Sequence, residues 1–264
     1  MELQRERQRQ LSHVQDYDAR QVLAKLIDKA EIVLRRKGSE ITDFLDPYHL
    51  DLAKGILRSM ELAVLEGGGY PRAERRRLVL ANSIQQVTEA DLNISVLHLK
   101  GDADCTGLSH RDYLGSLLGL GLRREKVGDI VVQPDQAWVI LDSSLSGFVR
   151  QNLLRVSRVP VRVEEVSSDL VETPAASQRE IRTTVPSLRL DAVAGEGYGL
   201  SRSKMAAEIA GGKVKVNWRP VTQSSFALGV GDVISCRGLG RVVLAEVRGS
   251  TKKGRIAILL QRLK

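Results

Sequence analysis

Aromatic side chains are scarce in this chain: three Phe, five Tyr and two Trp among 264 residues, 4% of the total. A protein that lays several bases on a broad aromatic platform needs more rings than that. Phosphate contacts, helix ends and shape are the favoured modes of recognition instead. Cysteine is rarer still. Cys105 and Cys236 form no CxxC and have no nearby His pair, which argues against a zinc site or a disulfide framework and fits a reducing compartment. Four scattered histidines build no Ser/His/Asp or Cys/His arrangement. No apolar run approaches the length of a membrane span. The opening MELQRERQRQ is polar and has no hydrophobic centre, so neither a secretory signal nor a transit peptide is expected. The expected setting is the cytoplasm.

What is present is a globular composition, 42% apolar and 27% charged, long enough for two or three domains. The charge is unevenly placed. Residues 187–264 hold 14 Lys and Arg against 5 Asp and Glu, whereas residues 1–186 hold 26 against 27. The formal +8 of the chain is therefore the property of its C-terminal part. Segregated positive charge on a globular sequence points to a polyanion, and for a small basic domain that means RNA or DNA.

Residues 1–85 read as an α-rich domain. Val22, Leu23, Leu26, Ile27, Ala30, Val33 and Leu34 recur at helical spacing, with Gly38 as the expected stop. Asp46 before Pro47 opens a second helix with Leu50, Ala53, Ile56 and Leu57 inward. Met60 to Leu65 reads as a strand, followed by an arginine cluster at Arg72, Arg75, Arg76 and Arg77. Residues 86–170 give the order β-α-β-β-α-β, the split pattern of ferredoxin-like and RNA-recognition folds. That pattern lacks the aromatics of a base-stacking sheet; Val96, His98 and Trp138 are the nearest candidates, and Trp138 is expected in the core. Residues 167–186 read as a connector with one edge strand, 171–186 being the linker proper. Residues 187–264 read as two short helices and four or five short strands, with Gly195 to Gly199 breaking the first helix. The expected class is α+β.

The sharpest local signal is Ser201-Arg202-Ser203-Lys204 at a helix start. Cations there oppose the helix dipole. The conflict resolves if the helix end faces phosphate, where free N–H groups, hydroxyls and cations converge on one anion. In Lys213-Val-Lys-Val-Asn217, strict alternation puts Lys213, Lys215 and Asn217 on one face, expected as a groove wall beside that helix, with Arg219 at the turn. The alternative in each case is a solvated surface.

SLRLDAVAG, GLSRSKMAAEIAGGKVKVNWRPV and GDVISCRGLGR resemble the RNA-binding domain of the ribosomal protein S4 type. The resemblance implies two helices and a small twisted sheet. It places Arg189, Ser201, Arg202, Ser203, Lys204, Lys213, Lys215 and Asn217 on the RNA-facing surface, with Arg219, Arg237 and Arg241 as further candidates. ITDFLDP (41–47), GGYPRAERRR (68–77) and HRDYLGSLLGLGLRREKVGDI (110–130), with the VKVNWR form of the C-terminal motif, extend the resemblance to the YlmH family. That family implies a cytoplasmic, ribosome-linked RNA-binding protein, with relatives in cyanobacteria and plastids labelled as photosystem II-associated, so the plastid stroma is the alternative setting. It implies rRNA or tRNA on the large ribosomal subunit as partner. From the residues themselves no cofactor or metal is expected, and the free protein is expected to be a monomer.

His110-Arg111-Asp112 imitates a kinase catalytic loop, but no Asn follows at the required distance and no DFG or Gly-rich loop accompanies it. Asp112 and Arg111 are expected to orient a helix start while Tyr113 packs. Arg111, Arg123, Arg124 and Lys126, with Arg75 and Arg76, form an expected second RNA surface. Gly119-Leu-Gly121 completes no nucleotide-binding loop. The leading expectation is thus a non-enzymatic RNA-binding protein. The rivals are an RNA-modifying enzyme with an unrecognised catalytic domain and an adaptor in cell division or photosystem assembly.

Overall fold

The computed structural model describes residues 11, 14, 16–101, 107–172, 178–251 and 254–263. Cys105 and the first ten residues, which carry the thiol and targeting expectations, lie outside them. The class is α+β, as expected, and the chain divides into two compact units, Met1–Pro174 and Ala175–Lys264.

The first unit opens with α1 (Tyr17–Arg36), capped by Asp16, whose carboxylate accepts from the Ala19 N–H. Leu23, Leu26, Ile27, Ala30 and Val33 form its buried stripe. Its end comes one residue before the expected Gly38: Lys37 takes the left-handed conformation at φ 54° and donates its N–H to Val33 O. Helix α2 (Pro47–Leu57) starts as its Asp-Pro pair predicts, with Asp46 accepting from the His49 N–H at 3.0 Å. Leu50, Ala53 and Leu57 pack with the α1 stripe and with Leu78 and Leu80. A three-stranded antiparallel sheet completes this layer: β1 (Ser39–Ile41), β2 (Ala63–Gly67) and β3 (Arg77–Ala81), in the order β1-β3-β2. The strand expected from Met60 begins three residues later, because Met60 closes a turn onto Leu57 O. Strand β3 is buried at every position, and its first residue, Arg77, is the last of the arginine cluster.

The second layer has β4 (Ile94–Gly101), α3 (His110–Gly119), β5 (Val127–Val132), β6 (Gln136–Asp142), α4 (Ser146–Asn152) and β8 (Val159–Val166) in the expected order, plus a two-residue β7 (Arg155–Val156). The sheet order β5-β6-β4-β8-β7 puts the first and third strands at the centre, as a split βαβ fold requires. On one face, Tyr113 and Leu117 of α3 and Val149 of α4 pack with Leu97, Leu99, Val139 and Leu141. Ser109 and Asp112 form a capping box at the start of α3, the role expected for Asp112. On the other face, Val96, Val131, Trp138 and Ile140 cluster with Phe44 and Tyr70 from the first layer and with Val171. Bases would stack on that face of an RNA-recognition sheet; here protein covers it. Trp138 is in the core as expected, with His98 stacked on it at 5.2 Å.

The second unit contains β9 (Gln178–Val185), α5 (Leu190–Tyr198), α6 (Arg202–Ala210), β10 (Val214–Val216), β11 (Arg219–Pro220), β12 (Val233–Cys236), β13 (Gly240–Ser250) and β14 (Ile256–Leu263). They build one sheet, β11-β10-β12-β13-β14-β9. Strand β9 is the edge strand foreseen in the connector, paired with β14 along its whole length. Leu190, Val193, Ala194 and Tyr198 of α5 and Met205 and Ile209 of α6 share one core with Val214, Val216, Ile234, Cys236, Val242 and Leu244. Both helices therefore cover the same face of the sheet.

Gly195 and Gly197 do not break α5, contrary to expectation. The helix runs through both and ends at Gly199, which takes φ 69°. The two internal glycines serve close packing: a Cβ at Gly197 would lie 2.8 Å from Val242 Cγ1, and one at Gly195 would lie 3.0 Å from Leu200 O. Gly197→Ala should therefore overpack the core and cost about 1–3 kcal/mol. Urea unfolding should show a lower midpoint at unchanged slope, and an unchanged midpoint would contradict this packing.

Candidate nucleic-acid interface

The start of α6 is built around one acid. Asp191, on the first turn of α5, is 4% exposed. It accepts two hydrogen bonds from Arg189, from Nε at 3.1 Å and from a terminal nitrogen at 3.0 Å, and a third from Arg202 Nε at 3.0 Å. Burial alone would raise its pKa; the bonds from Arg189 and Arg202 outweigh that and hold the carboxyl below its ordinary value. Two guanidiniums on one carboxylate leave one positive charge in excess, on side chains already held in place. Ser201 caps α6 by accepting from the Lys204 N–H, and the Ser201 and Ser203 hydroxyls lie 3.2 Å apart. Ser201, Arg202, Ser203 and Lys204 are all exposed. The structure thus brings together Arg189, Ser201, Arg202, Ser203 and Lys204.

The other expected contacts lie elsewhere. Val214 and Val216 face the helices, so Lys215 projects from the opposite face of the sheet, not beside α6 as expected. Lys215 pairs with Ser235 and Ser235 with Arg241, which puts those three side chains in one row. Arg237 donates its N–H to Lys213 O on the same side of β10. Lys213 forms an ion pair with Glu208 at 2.8 Å. Asn217 is not a strand residue: it sits in a turn at φ 48°, donates to Asp232 at 2.8 Å and accepts from the Val233 N–H at 2.9 Å. Arg219 is exposed at the end of that turn. Cations therefore occupy both the helix start and the sheet face opposite the helices.

With this geometry in view, three family models match: the YlmH N-terminal model over residues 18–84, a model named for an RNA-binding domain of YlmH over 88–169, and the S4 domain over 188–234. The chain is 31% identical over 247 residues to the "Ribosome-associated protein quality control protein P2" of Bacillus subtilis (strain 168), covering 94% of this chain and 96% of that one. The chain belongs to the YlmH family. A solved structure, "Cell division protein ylmH from Streptococcus pneumoniae", shares the fold over 60% of this chain and 96% of its own, with a TM-score of 0.53 and 20% identity.

Several arginines in the YlmH motifs of the first unit have partners within that unit. Of the arginines expected as a second RNA surface, Arg75, Arg76 and Arg124 hold carbonyl groups or carboxylates of their own unit. Arg75 donates to Val127 O at 3.1 Å and to Phe44 O at 2.8 Å. Arg124 donates to Val127 O and Gly128 O; burial pushes its guanidinium down to about 10, so it stays charged at neutral pH. Arg76 pairs with Glu66 at 2.7 Å. Lys126 bridges Asp43 at 2.8 Å and Asp142 at 3.1 Å. Arg77 is 2% exposed and reaches Thr42 O, Asn93 O and the Asp142 carboxylate. Asp129 in turn accepts from Tyr70 Oη and from the N–H groups of Glu74 and Arg75. Of the expected second surface only Arg111 and Arg123 are exposed, as is Arg72 beside it.

Two outcomes follow. Arg77→Ala leaves Asp142 buried with one of its two cationic partners gone and should cost about 3–5 kcal/mol, read by denaturant unfolding. Asp191 has a depressed folded pKa, so its contribution to stability is present above the unfolded value of roughly 3.9 and is lost as pH falls through the lower folded value. The stability gap between wild type and Asp191→Asn should therefore shrink as pH drops below about 4. A gap that is flat with pH would contradict the ion-paired state of Asp191.

Proposed function

We propose that this protein is a non-catalytic RNA-binding protein of the translation machinery, acting in the cytoplasm. Its partner in this reading is rRNA of the large ribosomal subunit, with tRNA as a second ligand, and its task is ribosome-associated quality control or subunit assembly. The family, the S4 match and the name of the Bacillus relative support the reading. One observation carries it: Arg189 and Arg202 fork onto a single buried Asp191 beside the N–H groups of a helix start. A phosphate placed there meets donors whose side-chain entropy is already spent. Lys204, Lys215, Arg219 and Arg237 have no ion pair among the described residues and are available for further phosphates. Arg111 and Arg123 would add contacts from the first unit.

Binding to purified large-subunit rRNA should weaken with salt. For about six phosphates neutralised, log K falls with log salt at a slope of roughly −4 to −5. Lys204→Ala, Lys215→Ala and Arg219→Ala combined should lower affinity for every RNA tested and flatten that slope by about 2–3. The triple variant should unfold at an unchanged temperature, since none of the three side chains holds an ion pair among the described residues. Unaltered affinity and slope would remove the proposed surface. Crosslinking in cells followed by sequencing of bound RNA should enrich one large-subunit helix together with tRNA.

A further inference from the structure

The loop between β10 and β11 has two residues, Asn217 and Trp218, and both take the left-handed conformation, at φ 48° and 64°. A two-residue hairpin loop of this kind matches the twist of its strands, and Asn-Gly is the pair that suits it. Asn217 fits: its backbone N–H donates to Val233 O at 2.8 Å, and its amide holds Asp232 and the Val233 N–H. Trp218 does not fit. A residue with a Cβ is strained there and glycine is not. Burial does not compensate, because Trp218 is part-exposed and lies outside the apolar core of its unit.

Backbone strain of this kind persists where the surroundings enforce it, and it gathers at binding sites. The surroundings here are cationic. The Arg241 guanidinium lies 5.4 Å from the centroid of the Trp218 ring. Lys215 stands in the same cross-strand row as Arg241, and Arg219 is the next residue along the chain. The result is one flat ring on a turn that hydrogen bonds lock in place, with Arg241 beside the ring, Lys215 and Arg219 near it, and the Asp232 carboxylate engaged by the Asn217 amide. We propose that Trp218 is a stacking residue for a single unpaired base, with Lys215 and Arg219 meeting the phosphates that flank it. The ring supplies a π-face, to which any base can stack, and the cations supply the attraction for its backbone. This rests on the RNA-binding reading and adds to it a preference: RNA with an unstacked base over a perfect duplex.

Trp218→Gly separates the ring from the fold, since glycine suits the loop better than tryptophan. The variant should unfold at the same or a higher temperature. It should bind a short oligoadenylate about tenfold more weakly than wild type, at unchanged salt slope, and bind an RNA duplex of equal length as before. Trp218→Phe should fall between the two. Indole emission of the wild type should be quenched by the oligoadenylate, and that quench should be missing in Trp218→Phe. Oligoadenylate affinity that is equal in Trp218→Gly and wild type, or an equal loss on duplex and single strand, overturns the stacking role. A wild type that binds neither RNA overturns the RNA-binding reading itself.

Discussion

A buried carboxylate that holds two guanidiniums is the constraint around which the C-terminal unit is arranged. Asp191 could not be buried without them, and Arg189 and Arg202 would be loose surface side chains without it. The excess charge of the cluster is what makes the start of α6 attractive to an anion. The interior of the unit supports this through close packing: α5 carries Asp191 to that point only because Gly197 lets the helix sit against Val242. Local chemistry at the surface and packing several ångströms beneath it are thus one arrangement.

The first unit uses the same chemistry for the opposite purpose. Arg75, Arg76, Arg77, Arg124 and Lys126 are directed at carbonyl groups and carboxylates of their own unit. Arg75, Arg77 and Lys126 join the helical layer to the βαββαβ layer, while Arg76 and Arg124 each bond within one of them. The face of the sheet that would otherwise stack bases is occupied by Phe44 and Tyr70 as part of that junction. An arginine-rich motif therefore carries different meanings in the two halves of the chain. The near-neutral balance of residues 1–186 was the clue: there the arginines have acids to answer them.

Much of this was legible in the sequence because local rules decide it. The Asp46-Pro47 and Ser201 caps, the βαββαβ order and the stripe of α1 follow from spacing and from the chemistry of helix ends. What was missed depends on contacts between residues far apart in sequence. Strand β3 hid behind four arginines because its partners lie on β1 and β2. Gly195 and Gly197 read as breakers because their need for space is set by Leu200 and Val242. Alternation placed Asn217 on the face of Lys215, but alternation ends where a turn begins. Trp218 is a single ring, too few for a stacking platform by composition, and its unusual feature is a backbone angle that no composition reveals.

Strand β9 has a consequence of its own. It closes one side of the six-stranded sheet, with β14 on one flank and, among the described residues, no strand on the other. Such a border offers a ready template for a foreign strand and for aggregation. Arg179, Glu180 and Arg182 stand exposed along it, and charges of both signs at consecutive positions would meet an incoming strand on either side. The sheet thereby guards its own margin with charge, while α5 and α6 cover one of its faces.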